Sequence, residues 1–267
     1  MTVSPKPPLL ALLGSPRLRD RVRVAVRLGA SSTVVGRLAL ASNWRQLWHL
    51  AEQHPGSPAV IDTLPEGPGS SKGGFGYTSA DDRSFIPIIS YAAFGDWATE
   101  RKLDQGSIAV EAHMVPGVSD DFDAIDTAIL GSIDAQHVYR LRERVGRTAD
   151  PRAVELLECA LEFAFGPCTV ADFAVRVGLN ERALQRLCAA LGIPSPRRLL
   201  SLARIYTVQR LSDWSRQPFG TVACALGFSA SSNYRRLVRG LLQHPPAAIQ
   251  QLGGGDYMAK VIVERVG

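Results

Sequence analysis

Three side chains in the C-terminal half have the types and spacing to read a nucleic acid. Arg182, Gln185 and Arg186 share one outward helix face, while Leu184, Leu187, Cys188 and Leu191 turn inward. An arginine fork can donate two hydrogen bonds to guanine, and a glutamine amide can pair bidentately with adenine, both in the major groove. Further along, Ser231, Ser232, Arg235 and Arg236 occupy a second helical stretch of the same character. On an isolated helix such a face is usually only solvated; its recurrence favours recognition.

The elements that carry these residues are duplicated. Thr169 to Cys188 and Phe219 to Val238 each read as a helix, a tight turn and a second helix. Ala174 matches Ala223 and Gly178 matches Gly227 at an offset of 49, and Arg186 matches Arg236 at an offset of 50. A small residue four before a glycine lets two helices pack closely, and the glycine takes the left-handed conformation that stops the first. Leu179 and Phe228 then follow as buried plugs, and Asn180 and Ser229 can cap the next helices. Asp172, three residues after Thr169, adds the pattern of a capping box. Between the copies, Ser195 to Ser212 predicts a connecting helix that fixes their separation. Two recognition helices on one DNA face must lie about 34 Å apart.

On these residues the stretch Thr169 to Ile249 strongly resembles the AraC-type DNA-binding domain of bacterial transcription regulators. The resemblance is carried by Ala174, Gly178, Leu184, Gln185, Arg186, Leu187, Gly192, Arg204 and Leu211. In the second half it is carried by Ala223, Gly227, Phe228, Ser229, Tyr234, Arg236 and Pro246. It implies that Arg182, Gln185 and Arg186 face bases or phosphates, and that Ser231, Ser232, Arg235 and Arg236 do so in the second copy. Its implied partner is double-stranded DNA; the further partners expected are RNA polymerase and a second copy of the chain, paired through the receiver-like sheet or the Ala135 to Arg147 helix. The chain departs from the pattern where Gln243 replaces a customary glycine, where Val238 replaces an aromatic residue, and where Gly192 to Pro196 is one residue longer than usual.

The N-terminal half alternates strands with helices. Strands are predicted at Leu9–Leu13, Thr33–Ala41, Pro58–Asp62, Ile86–Ala92 and Ser107–Met114, with helices at Arg17–Leu28, Asn43–His54, Asp96–Leu103 and Asp120–Ile133. That alternation implies a doubly wound α/β fold with a parallel sheet. Residues 8 to 135 resemble the receiver domain of two-component response regulators, in which an aspartate ending the third strand accepts a phosphoryl group. Asp62 stands at that position. The resemblance also calls for an acidic pair after the first strand to hold Mg²⁺, a lysine after the fifth and a hydroxyl closing the fourth. This chain has Gly14-Ser15, Val115 and Ala92 there. The expectation is therefore a receiver-like domain that senses or dimerises without phosphorylation. The alternatives are a phosphorylated regulator using Asp62 and an enzymatic N-terminal domain, although no nucleophile stands beside a base in a recognisable setting.

Composition fits this division. Residues 1 to 150 carry 16 Lys and Arg against 17 Asp and Glu, whereas residues 151 to 267 carry 14 against 8, so positive charge sits with the repeated helices. Cys159, Cys168, Cys188 and Cys224 form no CxxC pair, and the five histidines do not cluster, which argues against a zinc site and for reduced thiols in a cytoplasm. No catalytic residue, cofactor or metal is expected. No apolar run reaches the roughly 18 residues of a membrane helix. The glycine-rich segment Gly69 to Gly76 lacks phosphate-loop order and predicts a plain loop. The expected organisation is a receiver-like domain at 1–135, a linker helix at 136–150, a two-motif DNA-binding domain at 151–252 and a tail at 253–267.

Overall fold

A computed structural model describes residues 6–62, 86–91, 110–133 and 135–267. The segment Gly69 to Gly76, Ala92 and the helix expected at Asp96–Leu103 lie outside the described residues. The chain divides into two compact units, Met1–Ala135 and Gln136–Gly267.

The first unit is built on a five-stranded parallel sheet in the order β2-β1-β3-β4-β5. The strands are β1 (Leu9–Leu12), β2 (Leu38–Leu40), β3 (Ala59–Ile61), β4 (Ile88–Tyr91) and β5 (Val110–Met114). Central strands buried on both faces read as unbroken apolar runs, and β1, β3 and β4 are buried at every position. The described helices are α1 (Pro16–Leu28), α2 (Trp44–Gln53) and α3 (Phe122–Ile133). Strand order reverses between β1 and β3, the crevice in which such sheets place ligands.

Several expectations for this unit are corrected. The second strand does not begin at Thr33: Ala30–Thr33 forms a short 3-10 helix, because Asp126 of α3 accepts hydrogen bonds from Ala30 N (2.8 Å) and Ser31 N (2.9 Å). β2 is only three residues long. The predicted helix at Arg17–Leu28 is present as α1, with Val22, Ala25 and Val26 as its buried stripe. On α2, Leu47 and Ala51 are buried, while Trp44 and Trp48 pack partly exposed against the core with ring centroids 6.4 Å apart. Asp121 caps α3 through Ala124 N at 2.8 Å, and Asp120 beside it turns inward.

The second unit is helical: α4 (Ala135–Gly146), α5 (Pro151–Glu162), α6 (Val170–Arg176), α7 (Glu181–Ala190), α8 (Pro196–Ser215), α9 (Phe219–Ala225), α10 (Ser231–Leu242), α11 (Pro246–Gln251) and α12 (Gly254–Val266). α8 is its axis, with Leu199, Leu202, Ala203, Ile205, Tyr206, Val208 and Leu211 buried to within 1%. Leu156 and Leu157 of α5 are buried too, and Val154 and Phe165 are half-buried.

Two further expectations change here. The stretch 136–150 is not a free connector: Leu141 and Val145 are buried, Arg142 forms an ion pair with Glu158 of α5, and the helix belongs to this unit. Residues 253–267 are not a tail but α12, which packs along α8 and buries Met258, Val261, Ile262 and Val266. Asp213 of α8 accepts a hydrogen bond from Gly255 N at 2.7 Å and so anchors the start of α12. Gly254, at φ +55°, lies so close to Asp213 that a Cβ there would stand 2.3 Å from Oδ2.

Candidate nucleic-acid interface

The duplication seen in the sequence reappears in the backbone of two helix pairs, α6 with α7 and α9 with α10. Gly178 and Gly227 adopt φ +70° and +79°, the left-handed region that a side chain disfavours. Gly178 N donates to Val175 O (3.0 Å) and Leu179 N to Ala174 O (2.9 Å). At the same offset of 49, Gly227 N donates to Cys224 O (3.1 Å) and Phe228 N to Ala223 O (3.0 Å). These paired bonds satisfy the carbonyls a helix leaves open at its end. Leu179 and Phe228, expected as fully buried plugs, are each half-buried.

The starts of the pairs differ. Thr169 and Asp172 form the expected capping box: Thr169 Oγ1 accepts from Asp172 N at 3.2 Å, and Asp172 Oδ2 accepts from Thr169 N at 2.9 Å. The hydrogen bonds from Thr169 hold the Asp172 carboxyl below its ordinary range. Asn180 caps α7 by accepting from Ala183 N at 2.9 Å. Ser229 does not cap α10; the N-cap position is Ala230, and Ser229 Oγ accepts from Asn233 Nδ2 at 2.7 Å.

On α7, Arg182, Gln185 and Arg186 are exposed while Leu184 and Cys188 are buried; Leu187 and Leu191 are half-buried. On α10, Ser232, Arg235 and Arg236 are exposed and Ser231 is half-exposed, with Tyr234, Val238 and Leu242 buried beneath. The residues singled out from sequence therefore fall on the solvent faces of the second helix of each pair. Arg239, not anticipated, extends the α10 face by one turn and is also exposed. Its spacing of three and four residues from Arg236 and Arg235 was the available signal.

α10 is seated by a small aromatic cluster. Tyr234 meets Phe228 edge-on at 5.4 Å and Phe219 at 5.9 Å between centroids. Burial raises the Tyr234 phenol, which stays protonated next to Gln209, whose Nε2 lies 2.8 Å from the phenol oxygen. Arg204 of α8 reaches across: its guanidinium carbon lies 3.9 Å from the Phe228 ring centroid, and its Nη2 donates to Leu226 O at 2.9 Å. Burial lowers its pKa, and contact with the ring face offsets part of the desolvation.

α11 begins at Pro246 after Gln243, which closes α10 in the left-handed conformation at φ +59°.

Asp62, in the first unit, lies at the switch point between β1 and β3. Its Oδ1 accepts from Gly14 N at 2.7 Å and its Oδ2 from Ser15 N at 2.9 Å. Both oxygens are thus engaged with the turn that leads into α1. Another cluster in this unit went unforeseen. Asp120, 6% exposed, accepts from Gly117 N at 2.7 Å, from Tyr91 and from Arg21. Burial works to raise the Asp120 carboxyl, but the bonds from Tyr91, Gly117 and Arg21 outweigh it and hold the carboxyl below its ordinary value; Tyr91 is pushed up to about 12 by burial. The three partners come from α1, β4 and the β5–α3 turn, so no local pattern announces them. Among the described residues there is no group of three or more His, Cys, Asp or Glu placed to hold a metal, and no helix is long and apolar enough to cross a membrane.

No family model matches the chain, and no curated protein matches it. Among solved structures, full-length FixJ from B. japonicum is similar at 15% identity and a TM-score of 0.36, covering 84% of this chain and 98% of that one.

Proposed function

We propose that this protein is a sequence-specific, double-stranded DNA-binding transcription regulator of AraC-like type, with two helix-turn-helix motifs. The observation that carries this reading is the repeated turn. Two helix pairs close with equivalent hydrogen bonds 49 residues apart, and each then presents an exposed Arg-bearing face. The 20-residue α8 between them is about 30 Å long at 1.5 Å per residue, close to the rise of one turn of duplex. Arginine contacts to phosphates would supply the salt-dependent affinity, and Arg182, Gln185 and Arg186 the base readout. Selection of bound sequences from a random duplex pool by the purified chain tests this. Recovery of a motif supports it, and recovery without sequence preference removes it.

For the first unit the reading is a receiver-like domain that works without phosphorylation. A phosphoryl acceptor needs a divalent cation held beside its carboxylate. Gly14 and Ser15 stand where the cation-holding acids would be, and their amides bind the Asp62 oxygens instead. The unit then serves as a fixed platform for sensing or for pairing two copies.

A further inference from the structure

We infer that the outer face of α4 is a third duplex-contacting surface, in which Arg140, Arg144 and Arg147 bind backbone phosphates outside the two helix pairs. This rests on the DNA-binding reading and extends it to a segment that neither pair contains. Arg140 and Arg144 are four apart on one side of α4, and Arg147 follows in the turn just past its end. All three are exposed, and among the described residues none takes part in an ion pair. The neighbouring arginines behave differently. Arg142, Arg152 and Arg176 are each paired with a glutamate, Glu158, Glu155 and Glu162 respectively. Among the described residues of this unit, the other exposed arginines outside any ion pair include those of the two candidate recognition helices, Arg182 and Arg186 on α7 and Arg235, Arg236 and Arg239 on α10; Arg265 of α12 instead reaches Leu241 O at 3.4 Å.

Arg140 and Arg144, four apart, repel each other, and the exposed Glu143 on the same side forms an ion pair with neither of them nor with Arg147. A partner that neutralises them offsets that repulsion. The helix is also held for such a task, since Leu141 and Val145 are buried and Arg142 ties it to α5. With α4 included, residues 136 to 267 carry 18 Lys and Arg against 10 Asp and Glu, a balance suited to a polyanion. Guanidinium groups spaced along one helix side, with no apolar residue between them on that side, fit phosphate oxygens better than a protein surface.

The test compares salt dependence for the full chain on a duplex that it selects. Each phosphate contact contributes a slope of about 0.9 in log affinity against log salt, so replacing all three arginines by glutamine should lower the slope by about 2.7. Between 50 and 200 mM salt the unchanged chain should then lose roughly 40-fold more affinity than the Arg140→Gln, Arg144→Gln, Arg147→Gln variant. The preferred sequence should stay the same, and the triple lysine variant should keep the original slope. An unchanged slope in a glutamine variant that melts like the original overturns the inference and leaves the DNA-binding reading standing. A changed oligomeric state with the slope intact overturns it as well. Failure of the unchanged chain to bind any duplex removes the underlying reading, and this inference with it.

Discussion

Asp62 Oδ2 holds the backbone N–H of Ser15 at 2.9 Å, while Oδ1 of the same carboxylate holds Gly14 N–H at 2.7 Å. The side chain that a sequence comparison would make a phosphate acceptor is a staple between the end of β3 and the start of α1. Incubation with a small-molecule phosphodonor and Mg²⁺ should give no mass increase on intact protein. Asp62→Asn, which leaves one acceptor oxygen, should lower stability by about 0.5 to 1.5 kcal/mol in urea unfolding. A mass gain abolished by Asp62→Asn would make Asp62 a working acceptor and reverse the reading of this unit.

The two candidate recognition helices should not contribute alike. α7 offers Arg182, Gln185 and Arg186, whereas α10 offers Arg235, Arg236 and Arg239 beside short serines. Arg186→Ala should weaken binding to a selected duplex by about 1 to 3 kcal/mol and relax preference at one base position. Arg235→Ala should reduce the salt slope by roughly 1 with little change in preference, and Gln185→Ala should leave the slope alone. Equal slopes for those two variants would end the distinction.

Gln243 closes α10 at φ +59°, a conformation that costs a side-chain-bearing residue roughly 1 kcal/mol and glycine very little. Its N–H donates to Arg239 O at 3.0 Å, a bond that glycine would keep. Gln243→Gly should therefore raise the melting temperature of the second unit despite the added freedom of the unfolded chain. A lower melting temperature would show that the glutamine side chain contributes more than the backbone strain removes.

His137 on α4 provides a pH signature. Burial first, and the Arg210 charge second, push its pKa down from 6.5 to about 4. Between those values the unfolded chain takes up a proton that the folded unit does not, so this contribution to stability is complete above about 6.5 and declines as pH falls toward 4. Denaturant midpoints at pH 7 and pH 5 should differ more in the original chain than in His137→Gln. An identical difference would place His137 in solvent.

What the sequence made legible was mostly local. Gly178, Gly227, Asn180 and the Thr169 to Asp172 box act within a few residues of themselves, so spacing and residue type foretold them. Arg182, Gln185 and Arg186 were found outward because Leu184 and Cys188 define the buried side of α7. The failures are long-range. Ala30–Thr33 is helical because Asp126, about a hundred residues later, binds its amides, and Asp120 turns inward to meet Arg21 and Tyr91. α4 and α12 were read as connector and tail because their partners, Glu158 and Asp213, lie on other helices. Ser229 has the right chemistry for a cap, but the helix starts one residue later than that role requires.

Selection from random duplexes by the full-length chain, followed by sequencing of the bound fraction, tests the central claim most directly. The account predicts one enriched motif made of two conserved blocks centred about 10 base pairs apart, the better defined block lost in Arg186→Ala. Binding without any enriched sequence, or a single block unaffected by substitutions on α7 and α10, would contradict it.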